Sequence, residues 1–518
     1  MAKPAHDPLI LTFDMGTQSA RALLVNPRGE IVHKAQKAYE KPYFSKQPGW
    51  AEQGADFYWE AIREVSLALK EKAGGLWQEI IAVTCSTIRD TCLCLDKDHQ
   101  PLRDIILWLD DRKAENLPPL PAIAGPLLKL AGIQQRVDIQ RRSSPCNWIA
   151  MNEKELWERT DKFVLLSGWL NYKFCGNLVD SAANIIGHIP FDPKLRNWMK
   201  GRDPRRLIFE ITDDKLCQLV ETGTVMGTIT AAAAEETGIP LGLPLIASGS
   251  DKGSETLGLS CLSGDKAALS FGTTATVQLS TRHYLEPIPY MPPYAAVVPG
   301  YYNPEIEIFR GYWLLSWFKR EFAAKEMAEA ARLGVSAERL LDERLREIRP
   351  GCDGLVMQPY FSPGVDMPYA KGAVIGFSDV HTRIHLYRAI IEGINFALME
   401  GMRSIEKRGK LQVKQLYVAG GGSQSDQVCQ ITASMFGLPV YRIQTYEATG
   451  IGSSMAAFVS RGIFSSYEEG IEAMSHIKDE FLPDQKDHII YEELYEQIFE
   501  KIFDKLAPLY QKLSGIMQ

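Results

Sequence analysis

The feature that most constrains the fold is a pair of short, hydroxyl-lined hairpins, one in each half of a 518-residue chain. The first runs from Leu9-Ile-Leu-Thr-Phe-Asp14 through Met-Gly-Thr-Gln-Ser into Arg21-Ala-Leu-Leu-Val25. Two β-rich apolar runs joined by a glycine-containing turn read as a hairpin. Gly29 precedes Glu-Ile-Val-His, which reads as a third strand of the same meander. The second hairpin is Ala267-Ala-Leu-Ser-Phe271, Gly-Thr-Thr, then Ala275-Thr-Val-Gln-Leu279. One hydrophobic core does not extend over a chain this long. A boundary near Gly258–Asp265 divides it into 1–260 and 261–518, each half opening on such a hairpin. No fixed repeat period accompanies them, so the repetition is one of architecture.

Around the hairpins the pattern alternates strand and helix. Tyr58, Ile62, Val65 and Leu69 predict a helix over 56–73, and Glu79 to Ser86 a buried strand. In the second half, Leu411 to Gly422 predicts a strand running into three glycines. A helix over 426–436, a short strand at 438–441 and a small-residue helix over 448–460 follow. This is an α/β chain whose ligands are expected beyond strand ends. Leu494, Ile498, Ile502 and Leu506 predict an amphipathic helix over 491–513, docked on the second lobe, which Pro508 should kink or end.

Composition narrows the partners. With 57 basic against 64 acidic side chains and no basic block, a nucleic-acid partner is not expected. No apolar run approaches the ~20 residues of a membrane span and no signal-peptide core opens the chain, so a cytoplasmic protein is expected. Nine scattered cysteines without a CxxC pair point to reduced thiols.

The hairpins also carry chemistry. Glycine lets the backbone approach a phosphate, and neighbouring hydroxyls and N–H groups donate to its oxygens. Thr17, Gln18, Ser19 and Arg21 on one side, with Gly272, Thr273 and Thr274 on the other, would clamp the β- and γ-phosphates of a nucleotide. Asp14, at a strand end, is a candidate Mg²⁺ ligand. Gly421, Gly422 and Asp426 sit where a strand gives way to a helix, a place for an adenine ring and for the phosphate-favouring helix N-terminus. GxxxxGK[ST] is absent, and so is a GxGxxG opening a βαβ unit.

In this order the motifs resemble those of the FGGY carbohydrate kinases, within the sugar kinase, actin and heat-shock ATPase superfamily. The resemblance covers roughly residues 9–510. It includes Ile106-Leu-Trp-Leu-Asp-Asp-Arg112, Asp180-Ser-Ala-Ala-Asn184 and Tyr387-Arg-Ala-Ile-Ile-Glu-Gly393. It implies two actin-like (ribonuclease H-like) lobes around a cleft, ATP with Mg²⁺, a small sugar or polyol as substrate, and a homodimer among the expected assemblies. It also implies that Asp251, in Ala247-Ser-Gly-Ser-Asp251, is the catalytic base and a second Mg²⁺ contact. The bland alternative for Asp251 is a helix N-cap. Lys252 is assigned no role. Arg89 and Asp90 are similar to the Arg-Glu pair of glycerol kinases, where a guanidinium and a carboxylate side by side would bind vicinal hydroxyls. Trp108 and Asp110 are further substrate candidates.

Departures leave the substrate open. The Met-His-Gly of xylulose kinases is Ile88-Arg-Asp-Thr here, the Arg-Glu of glycerol kinases is Arg-Asp, and the common Gly-Glu-Arg-x-Pro loop is Ser362 to Pro368 without its arginine. Cys85 to Arg89 resembles the autoinducer-2 kinases, and bulky Tyr312-Trp313 either crowds the cleft or is core. Two other classes compete with a kinase: a nucleotide-gated protein that moves its lobes without chemistry, and a sugar-binding sensor.

Overall fold

Side-chain alternation along the strands decides which helix covers which face, and so where a cleft can form. The structure, a computed structural model, describes residues 7–517 except 123, 363, 365, 366 and 368. In the first half, β1 (Leu9–Met15), β2 (Ser19–Val25), β3 (Ile31–Ala38), β4 (Ile80–Thr87), β5 (Val225–Thr228) and β6 (Pro244–Ile246) form one sheet, ordered β5-β6-β4-β1-β2-β3. β1, β2 and β3 make an antiparallel meander, β4 and β6 continue in parallel, and β5 closes the edge antiparallel. The second half repeats the pattern with β7 (Lys266–Phe271), β8 (Ala275–Leu279), β9 (Glu305–Ile308), β10 (Gln415–Ala419), β11 (Val440–Ile443) and β12 (Ile477–Phe481), ordered β9-β8-β7-β10-β11-β12. Again three strands form a meander, two run parallel and the last is antiparallel. The molecule is thus two actin-like lobes.

Among the helices that pack around these sheets are α1 (Phe57–Ala73), α2 (Asp251–Gly258), α3 (Arg383–Gly409), α4 (Asp426–Phe436), α5 (Ala448–Ser460) and α6 (Glu500–Met517). All of β1 is buried, as in a strand covered on both faces. Leu9, Leu11 and Phe13 pack with Tyr58, Ile62 and Leu69 of α1. Ile10, on the opposite face, joins Leu23 and Ile246 in a cluster with Ile451, Met455 and Phe458 of α5. Thr12, on that face too, meets Ser454 of α5 at 2.7 Å between hydroxyls. A helix from the second half of the sequence therefore covers the first sheet.

The second sheet is built alike. Leu269, Phe271, Val277 and Leu279 pack with Ile390, Ile394 and Leu398 of α3. The opposite face carries buried Ser270 and Gln278, which meet Lys252 and Thr256 of α2. Helices α2 and α5 cross where both present glycine. A Cβ on Gly452 would lie 1.9 Å from the Ser254 carbonyl oxygen, and one on Gly258 would lie 2.0 Å from that of Ala448.

One expected element differs. The C-terminal helix is a helix over Gln485–Leu494, a π turn over Tyr495–Phe499, and α6 with Pro508 inside it. Buried Ile502 and Tyr510 hold α6 on either side of the proline, Tyr510 donating to Gln358 at 2.7 Å, so packing outweighs the lost backbone bond. The nine cysteines are free and buried. Among the described residues no helix is long and apolar enough to cross a membrane.

Candidate active site

The first hairpin turns tightly after Asp14, the Gly16 N–H donating to the Ser19 carbonyl at 3.0 Å. Thr17 Oγ1 accepts from Trp108 Nε1 at 2.9 Å, so the expected phosphate turn and one expected substrate residue are tied together. Asp14 is buried, and its carboxylate meets Arg21 at 2.8 Å. Burial pushes Asp14 up to about 6 although Arg21 pulls it down, and Glu447 and Asp251 add to the rise. Arg21 also faces Glu447 at 3.4 Å, and Lys34 reaches the other oxygen of Glu447 at 2.8 Å. The guanidinium expected to face phosphate is thus engaged by two carboxylates, one of them on the segment just before α5.

The second hairpin and the glycine turn are in direct contact. Gly420, with φ of +84°, lies so close to the second hairpin that a Cβ would sit 2.8 Å from the Phe271 carbonyl carbon. The same atom on Gly422 would strike the Tyr312 ring at 2.3 Å, whereas Gly421 faces open space. Tyr312 is buried and stacked on Phe271 with centroids 4.8 Å apart, so it is core beneath the turn. The Gly272 carbonyl accepts from the Tyr312 N–H at 3.0 Å and that of Thr273 from Trp313 at 3.3 Å, while the Thr274 hydroxyl donates to the Phe309 carbonyl. Asp426 opens α4 and is held by Arg442 at 2.7 Å, whose guanidinium also donates to the carbonyls of Ser423 and Gln424. The Asp426 carboxylate thus anchors the turn through Arg442.

Asp251 is the first residue of α2, and the cap is Ser250, whose Oγ accepts from the Gly253 N–H at 3.3 Å. This corrects the N-cap alternative. Among the described residues the Asp251 carboxylate accepts only from the Lys252 backbone N–H, at 2.8 Å. The Lys252 ammonium bonds Ser270 Oγ on β7, faces Glu255 at 3.5 Å, and lies 3.8 Å from where a Cβ on Gly272 would be. Burial alone would lower its pKa, but Glu255, Asp251 and Glu305 hold it above the usual lysine value. One ammonium therefore stands between Asp251 and the second hairpin.

The acceptor side departs from expectation. Arg89 and Asp90 do not lie side by side. Asp90, in a left-handed backbone conformation with φ of +50°, turns its carboxylate to the ring of His188. Arg89 crosses to the other lobe, meeting Glu305 at 2.7 Å with its guanidinium 4.5 Å from the Tyr294 ring centroid. The chain bends at this left-handed residue, and the two adjacent side chains take separate partners. For His188, burial would lower the pKa, but Asp90 overrides it and the imidazole stays above its usual value. Asp110 is engaged within the protein itself. Its oxygens accept from Ala51 N (2.6 Å), Arg112 N (3.0 Å), Arg112 Nε (2.6 Å) and Arg112 Nη2 (2.7 Å). Four donors saturate it, and it holds Arg112 between the rings of Trp50 and Trp148.

His188, Glu305, Glu307, Arg442 and Glu447 carry no motif, and only the fold brings them here. As for metal, no group of three or more His, Cys, Asp or Glu among the described residues could hold an ion alone. Asp14 and Asp251, with mutual repulsion that a cation would relieve, fit an ion that arrives with phosphate and keeps its waters. Ser362, accepting from Arg310 Nε at 3.3 Å, is the described start of the altered loop, while Pro363, Val365, Asp366 and Pro368 lie outside the described residues.

Comparison with known proteins agrees with this geometry. Residues 9–258 match the N-terminal domain of the FGGY family of carbohydrate kinases, and 267–461 match its C-terminal domain. A xylulose kinase of Lactococcus lactis is 26% identical over 498 residues, 94% of either chain. An autoinducer-2 kinase of Escherichia coli is 26% identical over 510 residues, 93% of this chain and 92% of its own. The crystal structure of a gluconate kinase from Lactobacillus acidophilus superposes with a TM-score of 0.82 at 20% identity, over 98% of this chain and 99% of its own. With both lobes matched in order, and with both hairpins, the glycine turn and Asp251 gathered at one cleft, the chain belongs to the FGGY family of carbohydrate kinases.

Proposed function

We propose that the protein moves the γ-phosphoryl group of ATP to a hydroxyl of a small sugar or polyol, with Asp251 as general base. The carrying observation is the pairing at the head of α2: a half-buried carboxylate with no side-chain partner among the described residues, beside an ammonium that reaches the second hairpin. In the step proposed, the acceptor oxygen bonds to the γ-phosphorus and its proton passes to Asp251. The bond from the γ-phosphorus to the β,γ-bridging oxygen breaks, and ADP leaves. Phosphoryl transfer asks little else of a protein beyond positioning and charge stabilisation.

The turns at Thr17–Ser19 and Gly272–Thr274 would hold the phosphates, and Gly421, with open space above it, would leave room for the base. A magnesium ion entering with ATP would be held by Asp14 and Asp251 through water and would neutralise phosphate charge. Lys252 would face the transferring phosphoryl group from the acceptor side, a placement supported by its approach to Gly272. Trp108, tied to Thr17, would fix the distance between acceptor and phosphate turn.

The test is ADP release against glycerol, erythritol, pentitols, pentuloses, hexuloses and aldonates. A rate raised by one of these acceptors and lost in Asp251→Ala supports the reading. ADP release indifferent to every acceptor supports the nucleotide-gated alternative.

A further inference from the structure

On the acceptor side of the cleft, Glu307 is a polar side chain for which the described residues supply no partner. β9 carries Glu305 and Glu307 on one face, with Ile306 on the other. Ile306 points to α3, where a Cβ on Gly401 would lie 2.8 Å from it. Glu305 meets Arg89 of the opposite lobe, so Glu307 shares the cleft-facing side. There Arg89, Glu305, Lys252 and Asp251 act on it electrostatically, and it acts in turn on His188 and Tyr294. Among the described residues Glu307 has no hydrogen-bond or ion-pair partner, whereas Glu305 has Arg89 and Gln278, and Asp90 has His188. Burial pushes Glu307 up to about 7, with Glu305 and Asp251 adding to the rise while Arg89 and Lys252 offset only part of it.

The cations nearby are already committed. Arg89 is spent on Glu305, and Lys252 is turned to Ser270 and the second hairpin. Among the described residues an acceptor bearing a carboxylate would find no uncommitted cation there, and would meet Glu307, Glu305, Asp251 and Asp90 instead. A polyol or open-chain ketose would offer hydroxyl donors to Glu307, whose carboxylate has none among the described residues. Sites built to receive hydroxyl donors discriminate strongly, and like-charge juxtaposition adds rejection.

We propose that Glu307 binds the acceptor directly and makes the cleft select uncharged polyhydroxylated acceptors over acids of the same carbon skeleton. This rests on the kinase reading above and names its substrate class.

The experiment compares matched pairs, each alditol or ketose against the aldonate of equal length, by kcat/KM and by calorimetric binding without ATP, in the wild type, Glu307→Gln and Glu307→Ala. The wild type is expected to favour the neutral member by about 100-fold or more. Glu307→Gln keeps the shape and removes the charge, and should narrow that preference by about tenfold. Glu307→Ala should raise KM for the neutral acceptor about tenfold or more, with a smaller change in kcat. An aldonate bound or turned over as well as its neutral partner overturns the proposal, as does a preference unchanged in both variants. Calorimetry separates the two failures: neutral acceptors that bind selectively through Glu307 but are never phosphorylated sink the kinase reading alone. Absence of binding by every neutral acceptor overturns the selectivity proposal.

Discussion

Lys252 shows how one residue's meaning depends on where its neighbours are carried. In the sequence it is a lysine on a helix, indistinguishable from a solvated one. In the fold its ammonium sits between Asp251 and Gly272, and carboxylates hold it charged. Positioned charge of this kind is worth about 100-fold or more in kcat. Lys252→Met should therefore lower kcat by about that factor with little change in acceptor KM, and Lys252→Arg should recover part of it. Steady-state kinetics with MgATP saturating would check this, and an equal loss in KM alone would assign Lys252 to binding. Asp110 makes the opposite case. It matches a family motif, yet four donors saturate it and Arg112 depends on it. Asp110→Ala should cost about 3 kcal/mol of stability, the range for stripping a partner from a buried charge, read as a fall in denaturant midpoint. An unchanged midpoint with a raised KM would return Asp110 to the substrate. What was legible at this scale was whatever sits on a glycine turn or strand end: Asp14, Thr17, Gly272, Gly421 and Asp251. Glu305, Glu307 and His188 were not, because an acid in an alternating strand or a histidine in an irregular loop reads as ordinary surface until the lobes are assembled.

The decisive contact between elements is the crossing of α2 and α5. Both helices lie between the two sheets, α5 packing on Ile10 and Leu23 of the first and α2 bonding Ser270 and Gln278 of the second, and they meet at glycines whose Cβ positions fall about 2 Å from facing carbonyl oxygens. Backbone cannot give way as a flexible side chain does. Gly258→Ala and Gly452→Ala should each destabilise by about 2 kcal/mol, within the usual range for overpacking. Urea titration would check both, and neutral substitutions would mean that the helices separate without penalty. Helix α4 falls where helical spacing put it and α5 where its run of small residues put it, while α2 was foreseen only through Asp251 as an N-cap. The partner of α5 was not readable, since its small residues Gly450, Ser453 and Ser454 signal close packing without saying against what. Pro508, expected to kink or end the helix, does not end it: local propensity opposed the helix, and burial of Tyr510 beyond it prevailed.

The whole molecule is two lobes that do not divide where the sequence does. The cluster holding Ile10, Leu23 and Ile246 of the first lobe includes Ile451, Met455 and Phe458 of the second half. Residues 1–260 made alone would expose that face, and should be aggregation-prone or unfolded unless 261–518 is supplied. Circular dichroism and sedimentation of the fragment, alone and co-expressed, would check it; a monomeric, cooperatively folded fragment would contradict it. The duplicated meander was visible in the two hairpins, while the exchange of helices between lobes was not. That exchange brings Asp251 from one half and Gly272 and Gly421 from the other to a single cleft, the arrangement on which the proposed chemistry depends. The most direct measurement is acceptor-stimulated ADP release by the wild type and by Asp251→Asn, whose amide keeps the shape without the base. The account predicts that the stimulated rate falls by about 1,000-fold, the order expected for losing a general base, while acceptor binding persists. A stimulated rate that survives Asp251→Asn would contradict it.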